Sequence, residues 1–204
     1  MYENDFYDDL PGALERSWRL LEEAIGDPTS PVRTPVLISV STGGLAQGRT
    51  VDVRGFNRQQ RQLQICTEVR SAKVAQLRAQ PDYTLVDYQP NPMMQLRLST
   101  NAIVNHNDET THGAWAVMPG PNRCNYLTDP DPGSISVQVT DGRPIINAES
   151  VPTNDENEIA YSHFSGIVFT INELEWLYLP RRGHRRAQFI WDGADSIQSD
   201  WLIP

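Results

Sequence analysis

Strand-like runs that are repeatedly cut short restrict the folding of this chain more than any other feature. Residues 36–40, 45–56, 63–67, 83–88, 94–104, 166–171, 174–179 and 187–191 are rich in β-branched, aromatic and alternating apolar residues, and Gly, Pro, Asn and Asp separate them. The first two runs, joined across Thr42-Gly43-Gly44, read as a hairpin. Short strands joined by short turns pair antiparallel. Several of them in one domain must bury their edges or close on themselves, because open apolar edges invite aggregation. A mainly β fold with flanking helices (α+β) follows, and a small antiparallel barrel is its economical form. Periodicity does not separate a closed barrel from a sandwich.

Helical spacing marks the flanking elements. Over 11–26, Leu14, Trp18, Leu21 and Ile25 share one face, with Glu15, Arg19, Glu22 and Glu23 on the other. A second helix is predicted over 107–118, capped by Asn107 or Asp108, with Ala114, Trp115 and Met118 inward. Residues 119–162 are polar and dense in turn dipeptides, and this loop region is assigned no regular structure. A basic turn, Arg181-Arg182-Gly183-His184-Arg185-Arg186, precedes the last strand.

At 204 residues and 39% hydrophobic content the chain can bury one sizeable core, so a single domain over 1–204 is expected. A net charge of −9 argues against nucleic acid as a partner, since phosphate affinity comes from excess basic charge. Cys66 and Cys124 lack C-x-x-C spacing, and His106, His112 and His163 lack ligand spacing, so neither a disulfide framework nor a metal is expected. Cys66 reads as a small buried hydrophobe. No stretch approaches 18 apolar residues and the acidic N-terminus has no export pattern, so a cytoplasmic protein without a membrane span is expected.

The only lysine, Lys73, lies in the first turn of a short predicted helix that opens after Ser71, carries Val74 and Leu77, and stops at Pro81. A helix start with unpaired N–H groups, a hydroxyl and a basic side chain is an anion-binding arrangement. The alternative is an exposed cation that costs up to about 1 kcal/mol against the helix dipole. Both readings stand on the residues alone.

Taken in order, R-T-V-D-V-R (49–54), I-C-T-E (65–68), S-A-K (71–73), M-Q-L-R-L (94–98), L-E-W (174–176), R-G-H-R-R (182–186) and a terminal L-I-P make up one pattern. The set resembles the pyridoxamine 5'-phosphate oxidase family of FMN-binding split barrels, over roughly residues 36–204 and in a broad bacterial branch. The resemblance implies an antiparallel Greek-key split β-barrel and a homodimer with the flavin at the subunit interface. It implies FMN contacts from Arg49, Thr50, Val51, Arg54, Cys66, Thr67, Ser71, Lys73, Gln95 and Arg186, with Arg49 toward the phosphate and Arg186 near the isoalloxazine. Cys66-Thr67 stands where the family has Tyr-Thr, Ala72 replaces an arginine, and Leu177 stands where the oxidases have a tryptophan.

Arg182-Gly183-His184 matches the family's Arg-x-His, which holds substrate while hydride leaves for flavin N5, so Arg182 and His184 are the expected catalytic pair. Arg54, in a lysine's place, and Arg123 are the further expected contacts to a small, phosphorylated substrate. A solvated hairpin turn is the plain alternative for 182–184. The function implied is an FMN-dependent oxidoreductase. The competing expectation is a non-catalytic split barrel that holds flavin or haem for storage, delivery or sensing, and a third is an interaction module that binds neither.

Overall fold

The computed structural model describes residues 6–41, 43–80, 82–144, 150–193 and 196–204. Its contacts gather into two compact units, Met1–Ile65 with Gln80–Ala102 and Phe169–Pro204, and Cys66–Ala79 with Ile103–Val168. Strand outweighs helix, 38% against 29%, and the fold is a mostly antiparallel sheet with flanking helices.

The strands are β1 (Val36–Val40), β2 (Ala46–Thr50), β3 (Val53–Asn57), β4 (Gln62–Glu68), β5 (Asp82–Gln89), β6 (Met94–Asn105), β7 (Phe164–Tyr178), β8 (Arg185–Asp192) and β9 (Ser196–Leu202). Their order is β2-β1-β5-β6-β7-β4-β3, with β8 on β7 and β9 on β8, and the sheet does not close. Alternation sets the faces. In β6, Met94, Leu96 and Leu98 are buried, while Gln95, Arg97 and Ser99 take the other side. Opposite them in the core, the Trp176 Nε1–H reaches Met94 Sδ at 2.7 Å.

In the first unit, α1 (Leu10–Gly26) is capped by Asp9, whose carboxylate accepts from Gly12 N at 2.8 Å. A Cβ at Gly12 would lie 2.8 Å from that carboxylate oxygen, so the cap requires glycine. Its buried Trp18 packs on Phe56 and Trp191 at ring separations of 5.7 and 5.5 Å. The β1–β2 hairpin forms as expected, from Val36↔Thr50 to Val40↔Ala46, with Gly44 at φ +81°; Thr42 lies outside the described residues.

Three expectations are corrected. The run 45–56 is two strands, β2 on β1 and β3 on β4. Asp52 is drawn out of the ladder by Arg33 at 3.0 Å and Arg54 at 2.7 Å, and Val51 N turns to Pro35 O at 3.0 Å. Arg49 and Arg54 therefore belong to different strands. The runs 166–171 and 174–179 are a single strand, because Asn172 and Glu173 stay in the ladder through side-chain bonds to Asn101 and to Gln188. The tail forms β9, which its Gln, Ser and Asp residues hid.

The second unit holds α2 (Ala72–Ala79), α3 (Glu109–Ala116), α4 (Gly120–Arg123) and α5 (Asn154–His163). Trp115, Tyr126 and Phe164 meet at ring separations of 5.0 to 5.7 Å and form its core with Cys124, Leu127 and Ala160. Two reciprocal capping boxes fix its helices, Asp108 with Thr111 and Thr153 with Glu156. The second of these, a T-x-x-E signature, places a helix inside the region read as loop. Among the described residues no helix is long and apolar enough to cross a membrane.

The first unit's apolar core also takes in a carboxyl group. Asp87 is buried among Leu21, Val53, Leu63, Leu85 and Leu96, with Gln89 Nε2 donating to its carboxylate at 3.0 Å. Burial pushes its carboxyl above the ordinary 3.8 despite that bond. An acid whose folded pKa exceeds its unfolded one destabilises the fold progressively as pH rises between the two values. Asp87→Asn is therefore expected to stabilise the protein at pH 7, with the gain shrinking as pH falls toward 4. Denaturant midpoints across that range check this, and a gain that does not shrink would refute it.

Candidate functional site

In the second unit the β4–α2 junction brings together Cys66, Thr67, Ser71 and Lys73. Thr67 and Ser71 are buried, and Cys66 packs half-buried against the aromatic core. Lys73 Nζ donates to Thr67 Oγ1 at 2.7 Å. Ser71 occupies the position before α2, its carbonyl accepting from Val74 N at 2.9 Å, but its hydroxyl does not cap the helix. That Oγ is buried with no hydrogen-bond partner in the structure. A buried polar atom without a partner costs roughly 1–3 kcal/mol, which a bound acceptor would recover.

Next to it, the buried Glu68 carboxylate is covered by Arg70, whose Nε lies 2.8 Å from Oε2. Arg70 also reaches Asp131 at 2.8 Å and Thr128 O at 2.9 Å, and the carboxylates around it hold its guanidinium in the charged form. Arg123 donates to Trp115 O at 2.9 Å, Met118 O at 3.2 Å and Asn157 Oδ1 at 3.2 Å, and lies 5.2 Å over the Trp115 ring. It would have to leave these partners to reach a substrate.

In the first unit, Gln95 lies on the polar face of β6 together with Arg97. Arg97 and Arg186 both donate to one oxygen of Glu175, Arg186 at 3.0 Å. Glu175 is buried on β7, and Leu177, on the same face, stands directly across from Arg186 on β8. Two guanidiniums on one carboxylate leave this three-residue group with one net positive charge. The Arg186 Nε is buried with no hydrogen-bond partner in the structure. Gln95, Leu177 and Arg186 thus lie on the polar face of one chain's strands. The part played by Arg97 was missed, although its place two residues after Gln95 in M-Q-L-R-L puts it on the same face.

The basic turn closes through Gly183 N to Pro180 O at 3.2 Å, with Gly183 at φ +126°, a conformation that favours glycine. Arg182 is exposed and stands 5.3 Å over the Tyr7 ring, while Arg185 pairs with Asp8 at 2.6 Å. His184, Arg185, Arg186, Asp8, Trp201 and Leu202 line a shallow cleft of about 350 Å³. His184 and Arg186 therefore share a cavity that Arg182 does not line.

At the other end of the sheet, Arg49 donates to Ser39 Oγ and to Gln47 Oε1. Burial lowers its pKa, and the buried Tyr83 hydroxyl beside it has no hydrogen-bond partner among the described residues. Thr50 ends β2 in solvent, Val51 is buried, and the exposed Arg54 is paired with Asp52.

Residues 15–106 match the family model described as pyridoxamine 5'-phosphate oxidase, FMN-binding domain. A pyridoxamine 5'-phosphate oxidase-related, FMN-binding protein of Nostoc punctiforme superposes with a TM-score of 0.69 at 20% identity, covering 93% of this chain and 96% of that one. PhzG of Burkholderia lata, solved with tetrahydrophenazine-1-carboxylic acid, gives 0.66 at 17% identity, covering 98% and 97%. A Clostridium acetobutylicum protein related to general stress protein 26, of the pyridoxinephosphate oxidase family, gives 0.53 at 10% identity, covering 87% and 94%. At these identities the structural likeness speaks for the fold alone. No curated protein matches the chain. The chain thus carries the sequence pattern of the pyridoxamine 5'-phosphate oxidase FMN-binding domain over residues 15–106, and the fold of that family over nearly its whole length.

Proposed function

We propose that the protein is an FMN-binding flavoprotein that oxidises or reduces a small anionic molecule. The observation that carries this reading is the buried Ser71 hydroxyl, without a hydrogen-bond partner among the described residues, at the β4–α2 junction with Thr67 and Lys73, a donor set matched to phosphate oxygens. By the family resemblance, Arg49, Thr50 and Val51 line the same cofactor, with Arg49 toward its phosphate. Cys66 lies beside Thr67, with no role beyond contact.

The ring end of the flavin falls to the polar sheet face. Gln95 offers an amide that both donates and accepts, and the net positive charge of the Arg97–Glu175–Arg186 group favours the anionic reduced form. When bound, FMN supplies an N5 that accepts hydride from substrate. The chain's own part is to hold the substrate, and His184 and Arg186 in the shared cleft suit a phosphate or a carboxylate. Arg182, with Arg54 and Arg123, is the further substrate contact that the resemblance implies. The proposed assembly is a homodimer in which both subunits contribute residues to each flavin.

A second reading is a flavin or haem carrier without a fixed substrate. It is favoured by one observation, that Tyr7 and Asp8 of the chain itself already engage Arg182 and Arg185. The visible spectrum of purified protein with added FMN, then with pyridoxamine 5'-phosphate or tetrahydrophenazine-1-carboxylic acid in air, separates the two. Bleaching supports the enzyme, flavin bands that never bleach support the carrier, and a Soret band supports haem.

Lys73→Ala with Arg49→Ala is expected to weaken FMN binding by at least about 10- to 100-fold, the scale of a charged hydrogen bond, with the fold intact. Full flavin occupancy of the double variant at micromolar protein would end the assignment. Ser71→Ala should leave the stability of flavin-free protein unchanged or higher, since its hydroxyl has no partner to lose. The same change should weaken FMN severalfold, as read by fluorescence titration. For the enzyme reading, Arg182→Ala should cut turnover roughly 10- to 100-fold with flavin occupancy retained, and parental turnover would remove Arg182 from the mechanism.

A further inference from the structure

Between Thr67 and Ser71 the chain carries a carboxylate where a phosphate would find one unwelcome. Ser71 N donates to Glu68 O at 3.1 Å, closing a four-residue turn, so the Glu68 and Ser71 Cα atoms lie within about 7 Å of each other. Glu68 is also buried, at 8% exposure, where water screens its charge least. Along 67–73, Glu68 brings one negative charge, Arg70 and Lys73 bring one positive charge each, and Ala72 brings none. A phosphate at this helix start therefore meets a net positive charge only while Arg70 offsets Glu68. Without Arg70 the sum is zero.

Arg70 is fixed on that carboxylate from several sides. Its backbone N–H donates to Glu68 Oε1 at 2.8 Å, its Nε donates to Oε2 at 2.8 Å, and its Nη2 closes on the same oxygen. The rest of the guanidinium donates to Thr128 O at 2.9 Å and to the exposed Asp131 at 2.8 Å. His163 Nδ1 stands 3.1 Å from Arg70 Nη2 and 2.8 Å from Tyr126 O. A carbonyl only accepts, so this Nδ1 carries a proton and bounds the guanidinium without accepting from it. Val69, between the two paired residues, is pinned by its N–H to His163 O at 2.8 Å. All of these residues belong to the second unit.

We propose that Arg70 is a positioning residue for the anion site: by holding and neutralising Glu68 it sets the affinity of the β4–α2 junction for a phosphate group without touching that group. The inference rests on the phosphate-binding reading of Thr67, Ser71 and Lys73 and adds the pair that tunes it. The two partners have opposite effects when left alone. A bare Glu68 repels the phosphate, whereas a bare Arg70 attracts it. Asp131 and His163 also face the guanidinium, but Asp131 is solvated and His163 is turned to Tyr126 O, so the balance lies with Glu68.

The test is FMN affinity, by fluorescence titration at low ionic strength, of the parent, Arg70→Met, Glu68→Gln and the double variant, with melting temperatures measured alongside. Arg70→Met is expected to bind at least about 10-fold more weakly, Glu68→Gln as tightly as the parent or severalfold tighter, and the double variant within about threefold of the parent. That rescue is what a merely structural role would not produce, because the double variant has lost the whole clamp and regains only the charge balance. A double variant as weak as Arg70→Met would overturn the inference, and so would Arg70→Met at parental affinity. Glu68→Gln decides the matter even if Arg70→Met does not fold, since binding about 10-fold weaker than the parent's would also overturn it. If the parent itself takes up no FMN, the flavin reading fails, and calorimetric titration of the same four proteins with inorganic phosphate judges the pair separately. The same order of affinities would support it, and no phosphate binding by the parent would overturn it.

Discussion

Glu175 is the charge around which the sheet is arranged. It is buried on β7 and is held by Arg97 from β6 and Arg186 from β8, so one carboxylate ties three adjacent strands on their polar face. Removing both arginines would strand the buried carboxylate, at a cost of about 3–5 kcal/mol. The opposite face of the same strands is apolar, with Trp176 against Met94. Period-2 alternation therefore gives one sheet two functions. One face packs, and the other presents Gln95, Leu177 and Arg186 beside a group of two arginines on one carboxylate.

The second unit solves a related problem at its helix start. Glu68 would be an unfavourable neighbour for an anion, but Arg70 covers it and extends its remaining donors to Asp131 and Thr128. With that carboxylate neutralised, Thr67, Ser71 and Lys73 form a local basic and hydroxylic site in an acidic protein. Arg70 also reaches through Asp131 into the exposed 129–141 segment, so the residue that neutralises Glu68 also braces that segment. Nearby, the aromatic core of Trp115, Tyr126 and Phe164 and two capping boxes fix α3 and α5.

Much of this was legible residue by residue. The α1 stripe of Trp18 and Leu21, the β1–β2 hairpin and the alternation of β6 follow from periods that each element must obey whatever it packs against. Gln95 and Arg186 were each singled out by the ordered motifs, but not as neighbours on one face. The errors arose where polar residues interrupt a period for tertiary reasons. Asp52 breaks a strand because Arg33 and Arg54 pull it aside, whereas Asn172 and Glu173 do not break one because Asn101 and Gln188 receive them. No local rule distinguishes these cases. The α5 cap, Thr153 with Glu156, was a readable signal inside a stretch that composition alone marked as loop.

The sequence by itself determined the class of fold, the two-faced strands, and the residue types offered at the α2 start and on the polar sheet face, because these depend on local periodicity and on residue chemistry. Tertiary structure decided what those residues are left to do. Burial without a partner turned the Ser71 hydroxyl from a helix cap into a candidate ligand donor, and Glu175 turned two arginines into a group with one charge. Full exposure kept an alternating aliphatic run, Ile135, Val137 and Val139, out of the core. Each outcome depends on which distant groups arrive alongside, and neither composition nor periodicity specifies that.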